Sequence, residues 1–217
     1  QFSNGETLFN QLSCSLSKRR VGLVGRNGVG KSILASILTG ERNPSCGKVT
    51  LPESFSVYRQ QPSHLLSGDL SVAQYLGKDQ VLGALKKIEA GDCSEHYFEL
   101  VGEQWDLPVQ LGLQLISMGL PPEPDFPCAQ LSGGQLARLQ LWQLFQRDVE
   151  LLILDEPSNH LDIQARQWLI QSMSCFAGAI LLISHDRALL REMDEIWELS
   201  ELGLQVFGGN YDVYVEQ

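Results

Sequence analysis

An α/β fold, with a mainly parallel sheet covered by helices, is predicted by two features of the chain. Short apolar runs of strand length alternate with helix-period segments over residues 151–184. A similar run at 21–24 enters the glycine-rich stretch 25–30, and a helix follows over 31–38. A third feature qualifies the first two. Residues 62–146 keep mostly to the helical period, so a helical subdomain is expected inside the α/β core, the whole of 1–217 forming one domain.

In chain order, Leu12, Cys14 and Leu16 alternate with polar residues, which predicts a half-buried strand. Strands are also predicted at 21–24, 49–51 and 55–58. From about Ser71 the period becomes helical. Val81, Leu85 and Ile88 line one face of a helix, and Val109, Leu113 and Ile116 line a face of another. Pro121, Pro122, Pro124 and Pro127 break the chain before a helix that starts after Ser132-Gly133-Gly134 and runs to about Gln146. Strand 151–154, helix 162–176 and strand 179–184 complete the alternation.

With 217 residues, 43% of them hydrophobic, the chain has enough apolar side chains for one good core. The formal charge of −10 removes a basic nucleic-acid footprint from the chain as a whole. No apolar run approaches the roughly 20 residues of a membrane helix, and no basic-then-apolar leader opens the sequence. Direct membrane insertion is therefore not expected. The chain does not begin with Met, so a preceding segment is expected to have been removed. Cys14, Cys46, Cys93, Cys128 and Cys175 are odd in number and fit no zinc or redox spacing, which reads as scattered reduced thiols of a cytoplasmic protein.

Chemistry concentrates in three motifs. Gly25-Arg26-Asn27-Gly28-Val29-Gly30-Lys31-Ser32 fits the phosphate-loop pattern and lies between a predicted strand and a predicted helix. Its glycines let backbone N–H groups face phosphate oxygens, and the helix N-terminus adds partial positive charge. Lys31 is placed to reach the β- and γ-phosphates of ATP, and the Ser32 hydroxyl to hold Mg²⁺. The apolar strand 151–154 ends in Asp155-Glu156, which puts two carboxylates at the ligand-binding edge of a parallel sheet. Asp155 is suited to the Mg²⁺ shell and Glu156 to polarising a water for attack on the γ-phosphate. Leu131-Ser132-Gly133-Gly134-Gln135 offers a hydroxyl and free N–H groups at a helix start; taken alone, it reads equally as an ordinary serine N-cap.

Together and in this order, the three motifs resemble the nucleotide-binding domain of ABC ATPases, a P-loop NTPase core with an antiparallel β part and a helical subdomain. The resemblance covers nearly the whole chain. It implies two domains packed head to tail, with residues 131–135 serving the ATP held by the partner domain. It further implies that His185, in Ser184-His185-Asp186, contacts the γ-phosphate. Gln60 or Gln61, with Gln61 preferred, corresponds to the glutamine that senses Mg²⁺ and water, and Phe2 reads equally as an adenine-stacking aromatic or as a core or disordered residue near the terminus. Ile33 replaces the usual Thr, removing one hydroxyl contact to the α-phosphate.

Asp155-Glu156-Pro157-Ser158-Asn159-His160-Leu161-Asp162 narrows the resemblance to the ABC-F branch, whose members carry two ABC domains in one chain and mostly act on ribosomes. Asn159 and Asp162 then belong to the loop that crosses the dimer interface. Ser184-His185-Asp186-Arg187 and Phe207-Gly208-Gly209-Asn210-Tyr211-Asp212-Val213-Tyr214 resemble the same branch, the latter at the end of its first domain, so an interdomain linker and a second ABC domain are expected to follow. The partners implied are that second domain, or another copy of this one, and the ribosome. Residues 77–127 hold nine acids against three lysines, a poor RNA ligand where ABC-F proteins often carry an RNA-contacting arm. Leu136 replaces a usually polar residue. Two alternatives compete: an ATPase subunit of a membrane transporter, disfavoured by Asn159-His160-Leu161-Asp162, and a non-hydrolysing scaffold, disfavoured by Glu156 and His185.

Overall fold

The structure, a computed structural model, describes residues 12–16, 19–59 and 70–216. The chain divides into two compact units: Gln1–Gln60 with Leu144–Gln217, and Gln61–Gln143.

The first unit is built on strands β1 (Arg20–Gly25), β2 (Phe55–Arg59), β3 (Leu151–Asp155), β4 (Ala179–Ile183), β5 (Glu195–Ser200) and β6 (Gly203–Gly208). They lie in the order β2-β3-β4-β1-β5-β6. All pairings are parallel except β5–β6, an antiparallel hairpin. Continuous burial along β1, β3 and β4 is what a parallel sheet covered on both faces requires, and it explains why these strands read as unbroken apolar runs. Helices α1 (Lys31–Leu38), α7 (Ile163–Cys175), α8 (Arg187–Leu190) and α9 (Tyr211–Val215) belong to this unit. One face of the sheet joins Leu34 and Ala35 of α1 to Val21, Leu23, Ile153, Leu181 and Ile183 in a single core. On the other face, a Cβ at Gly22 would lie within 3.1 Å of Leu190, Ile196 and Met193 side chains, so glycine sets how closely that layer packs.

Two predicted strands do not form among the described residues. Residues 12–16 and 49–51 pair with no neighbour among the described residues. Leu12, Cys14, Leu16 and Leu51 nonetheless pack against the core, so the alternation over 12–16 marks which side chains face inward without a hydrogen-bonded ladder. Among the described residues, the antiparallel pairing of the sheet is β5–β6. Its sequence hides it, because β5 buries a carboxylate: Glu195 accepts a hydrogen bond from Trp197 Nε1 at 2.6 Å.

The second unit contains α2 (Val72–Tyr75), α3 (Asp79–Glu89), α4 (Glu95–Val101), α5 (Leu107–Ser117) and the part of α6 (Gly133–Phe145) up to residue 143. Leu111 and Leu115 of α5 pack with Val72, Met118, Leu131, Leu136 and Leu139. Leu136 is thus a core residue, which accounts for the apolar side chain after the 131–135 motif. The other face of α5, with Val109, Leu113 and Ile116, is exposed. The end of α5 is tied to α6: Arg138 Nη1 donates to the Met118 carbonyl at 2.7 Å and Gln135 Nε2 to that of Gly119 at 3.0 Å. Gly119 has φ +67°, and a Cβ there would fall 2.7 Å from Arg138 Nη1.

Candidate functional site

Three adjacent parallel strands, β3, β4 and β1, bring the predicted chemistry to one edge of the sheet. β1 runs into the 25–32 loop, β3 ends at Asp155, and β4 leads into Ser184 and His185. The carboxyl edge of a parallel sheet is where open α/β folds bind ligands. Asp155 is in register with Ile183, and the Glu156 N–H donates to the Ile183 carbonyl at 2.8 Å, so the acid pair is fastened to the strand that delivers the histidine.

The loop itself is shaped by glycine. A Cβ at Gly25 would lie 2.4 Å from the Leu199 carbonyl oxygen of β5, so only glycine lets the loop leave β1 there. Gly28 (φ +85°) and Gly30 (φ +105°) take left-handed conformations, and Val29 N–H closes a turn onto Arg26 O at 3.3 Å. Lys31, the first residue of α1, is buried and donates to Gly25 O at 2.7 Å and Arg26 O at 3.1 Å. Burial pushes its pKa down, and the carboxylates of Glu156 and then Asp155 work in the opposite direction. The α1 N-cap, Gly30, supplies no side-chain cap, and the first turn carries no acid. The positive end of this helix is therefore left for an external anion, as a phosphate site requires. Arg26, Asn27 and Ser32 are exposed and Ile33 is half-buried.

Across the sheet edge, burial raises the Asp155 pKa while Arg59 and then Lys31 pull it back. Glu156 has φ +47°, a strained conformation for a non-glycine residue. Its pKa is raised mainly by burial; His185, through its charge and a backbone hydrogen bond to the carboxylate, opposes the rise, while Asp155 adds to it. His185 Nε2 lies 3.7 Å from Glu156 Oε1. The loop that carries His185 is held from below. Buried Ser184 accepts from Asp186 N–H (3.0 Å), Asp186 accepts from Ala188 N–H (3.0 Å), and Arg166 of α7 pairs with Asp186 at 2.8 Å. No motif pointed to Arg166, which lies on a different element from the loop it steadies.

The donors around this edge fit ATP with Mg²⁺. Ser32 and Asp155 offer hard oxygen ligands, and among the described residues no cluster of three or more His, Cys, Asp or Glu forms an all-protein metal cage. Mg²⁺ typically takes one or two carboxylates and completes its shell with phosphate oxygens and water.

The 131–135 motif lies in the second unit. Its serine is a cap: Ser132 Oγ accepts from Gln135 N–H at 3.2 Å, while Gln135 Oε1 accepts from Ser132 N–H at 3.0 Å. Leu131 is buried, and Ser132 and Gly133 are exposed. Asp162 N-caps α7 through Ala165 N–H at 2.8 Å, and Asn159 is exposed in the preceding loop. Gln60, Gln61 and Phe2 lie outside the described residues.

Comparison with known proteins identifies the family. Residues 9–159 match the family model described as ABC transporter. The chain is 33% identical over 218 residues to the energy-dependent translational throttle protein EttA of Mycobacterium tuberculosis H37Rv, covering 91% of this chain and 38% of that protein. It is 32% identical to the ATP-binding protein Uup of Escherichia coli K12, covering 99% of this chain and 36% of Uup. The ribosome protection protein VmlR of Bacillus subtilis matches at 29%, over 97% of this chain and 32% of VmlR. Among solved structures, an ATP-binding subunit of an ABC transporter superposes with TM-score 0.70 at 20% identity, covering 98% of this chain and 94% of that one, which establishes the fold.

The chain belongs to the ABC family: it is an ATP-binding ABC ATPase domain. Its similarity to EttA, Uup and VmlR supports the ABC-F type, and it spans less than two fifths of the length of these relatives.

Proposed function

We propose that this domain binds Mg-ATP at the 25–32 loop, closes head to tail on a second ABC domain, hydrolyses the ATP, and couples that cycle to translation on the ribosome in the cytoplasm. The observation that carries the reading is the convergence of the phosphate loop, Asp155-Glu156 and His185 at the ends of three neighbouring strands.

The residues divide the work as follows. Backbone N–H groups of Gly28 and Gly30, the α1 N-terminus and Lys31 hold the phosphates, while the Val29 N–H keeps the loop's turn onto Arg26 O. Ser32 and Asp155, with Gln61 as the remaining candidate, hold Mg²⁺, which neutralises phosphate charge when bound. Glu156 takes the proton of the attacking water. Its burial favours that role by raising its proton affinity above that of a free carboxylate. His185, anchored through Asp186 and Arg166, steadies the Glu156 carboxylate and meets the γ-phosphate.

Ser132 serves the partner's ATP. Its oxygen already accepts from Gln135 N–H, which orients the hydroxyl while its own hydrogen remains available to donate to a phosphate. Asn159 and Asp162 lie in the interface loop. The names of EttA and VmlR support a ribosomal partner. Among the described residues no helix is long and apolar enough to cross a membrane.

The test is closure itself. Glu156→Gln keeps the shape of the side chain and removes the base, a loss of about 10²–10⁴ in rate. The variant should run as a dimer on a sizing column with Mg-ATP and as a monomer with ADP, and Ser132→Arg added to it should restore the monomer. A Glu156→Gln protein that stays monomeric with Mg-ATP at high protein concentration rejects the closure model. Co-sedimentation of the same variant with ribosomes, with ATP but not ADP, tests the coupling separately.

A further inference from the structure

Helix α5 turns the wrong face to water. Leu111 and Leu115 are buried, yet Val109, Leu113 and Ile116 form a stripe at i, i+4 and i+7 on the opposite side, between 57% and 66% exposed. No residue of α5 carries a charge. Just ahead of it, Phe98 of α4 and Trp105 are also exposed, their rings 5.9 Å apart. Scattered exposed apolar residues are ordinary, but an apolar helix face with an aromatic pair at its head marks an interaction surface.

The charge around this face selects its occupant. No lysine or arginine falls between Lys87 and Arg138, while eight acids do. Glu95, Glu99, Glu103 and Asp106 are exposed on α4 and on the turn into α5. A second copy of this chain would bring an equally acidic surface and no basic flank. Nucleic acid and anionic lipid surfaces would be repelled. The complement of an apolar stripe with an acidic approach is an apolar stripe with basic flanks.

We propose that the α4–α5 face docks a basic amphipathic helix of a protein partner. Its apolar side lies along Val109, Leu113 and Ile116, and its lysines or arginines face Glu95, Glu99 and Glu103. This surface lies in the second unit and is independent of ATP binding at the phosphate loop.

The probe is a fluorescent amphipathic peptide of about 18 leucines and lysines, long enough for five helical turns, titrated with the whole chain and read by anisotropy. The triple variant Val109→Ser, Leu113→Ser, Ile116→Ser and the triple variant Glu95→Gln, Glu99→Gln, Glu103→Gln should each weaken binding about tenfold or more. A control that removes three exposed acids elsewhere, Glu53→Gln, Glu201→Gln, Glu216→Gln, should bind as the unaltered chain does. Because the stripe is exposed, the serine variant should keep the parent's melting temperature and ATP affinity, which confirms that it folds. The proposal is overturned if the peptide does not bind, if the control weakens binding as much as the rim variant, or if the serine variant binds unchanged. It is equally overturned if a leucine–glutamate peptide binds as tightly, or if the chain self-associates through the stripe in a way the serine variant abolishes.

Discussion

Lys31 is a buried cation whose ammonium is met by two backbone carbonyls, Gly25 O and Arg26 O, and by the fields of Glu156 and Asp155. Phosphate oxygens are its natural further partners, and a charged hydrogen bond contributes roughly 1.5–3 kcal/mol. Lys31→Ala should therefore weaken ATP binding about ten- to a hundredfold, measured by calorimetry. Glu156 carries a pH signature. Burial, helped by Asp155, raises its pKa, with His185 and Lys31 opposing. Only the ionised carboxylate accepts a proton from water, so kcat should fall as pH drops, with the fall beginning at a higher pH than a free glutamate would give. The residual rate of Glu156→Gln should lack that acid limb, and a pH–kcat profile of both proteins checks this. Local motifs made these residues legible, because a phosphate loop, an acid pair and a histidine after a strand each need a fixed spacing within a few residues. Arg166 was not legible: it acts on Asp186 only once α7 and the loop after β4 have packed. The φ of Glu156 is likewise a product of tertiary structure.

Among elements, the contrast between helix starts is informative. α1 begins on a glycine with no side-chain cap, α6 begins on a reciprocal Ser132–Gln135 box, and α7 begins on Asp162. The uncapped start is the one proposed to hold phosphate. The box at α6 answers a question the sequence left open, since Ser132 is a cap whatever else it does. Gln135→Ala removes the reciprocal bond and the tie to Gly119, which should lower stability by about 1–2 kcal/mol, read from urea unfolding, and speed amide exchange at the end of α5. Buried strands and well-spaced helices were visible beforehand because burial on both faces writes an unbroken apolar run. Two short segments, 12–16 and 49–51, show the pattern through the core packing of Leu12, Cys14, Leu16 and Leu51, with no ladder partner among the described residues. α5 shows the other limit of periodicity: its pattern revealed an apolar face but not whether the fold covers it, and the covered residues are Leu111 and Leu115.

On the scale of the whole molecule, the phosphate loop lies in one unit and Ser132 in the other. If Ser132 serves the ATP of a partner, an isolated chain must find that partner by diffusion, without the effective concentration that a tether supplies. ATPase rate per mole should then rise with protein concentration; a fast rate that stays flat down to nanomolar protein would show that one chain suffices. The helical unit also has a mechanical property that follows from its hydrogen bonds. Gln135 clasps Ser132 with its carbonyl and the last turn of α5 with its amide, and Arg138 braces the same turn one helical step further on. Ser132 and the residues that end α5 are therefore joined by a single side chain, with a second bracing the same end. On the proposed roles, a partner seated on Val109, Leu113 and Ile116 would be linked through Gln135 to the backbone of the serine proposed to serve a neighbour's phosphate, and the small bundle would act as a handle as well as a half-site.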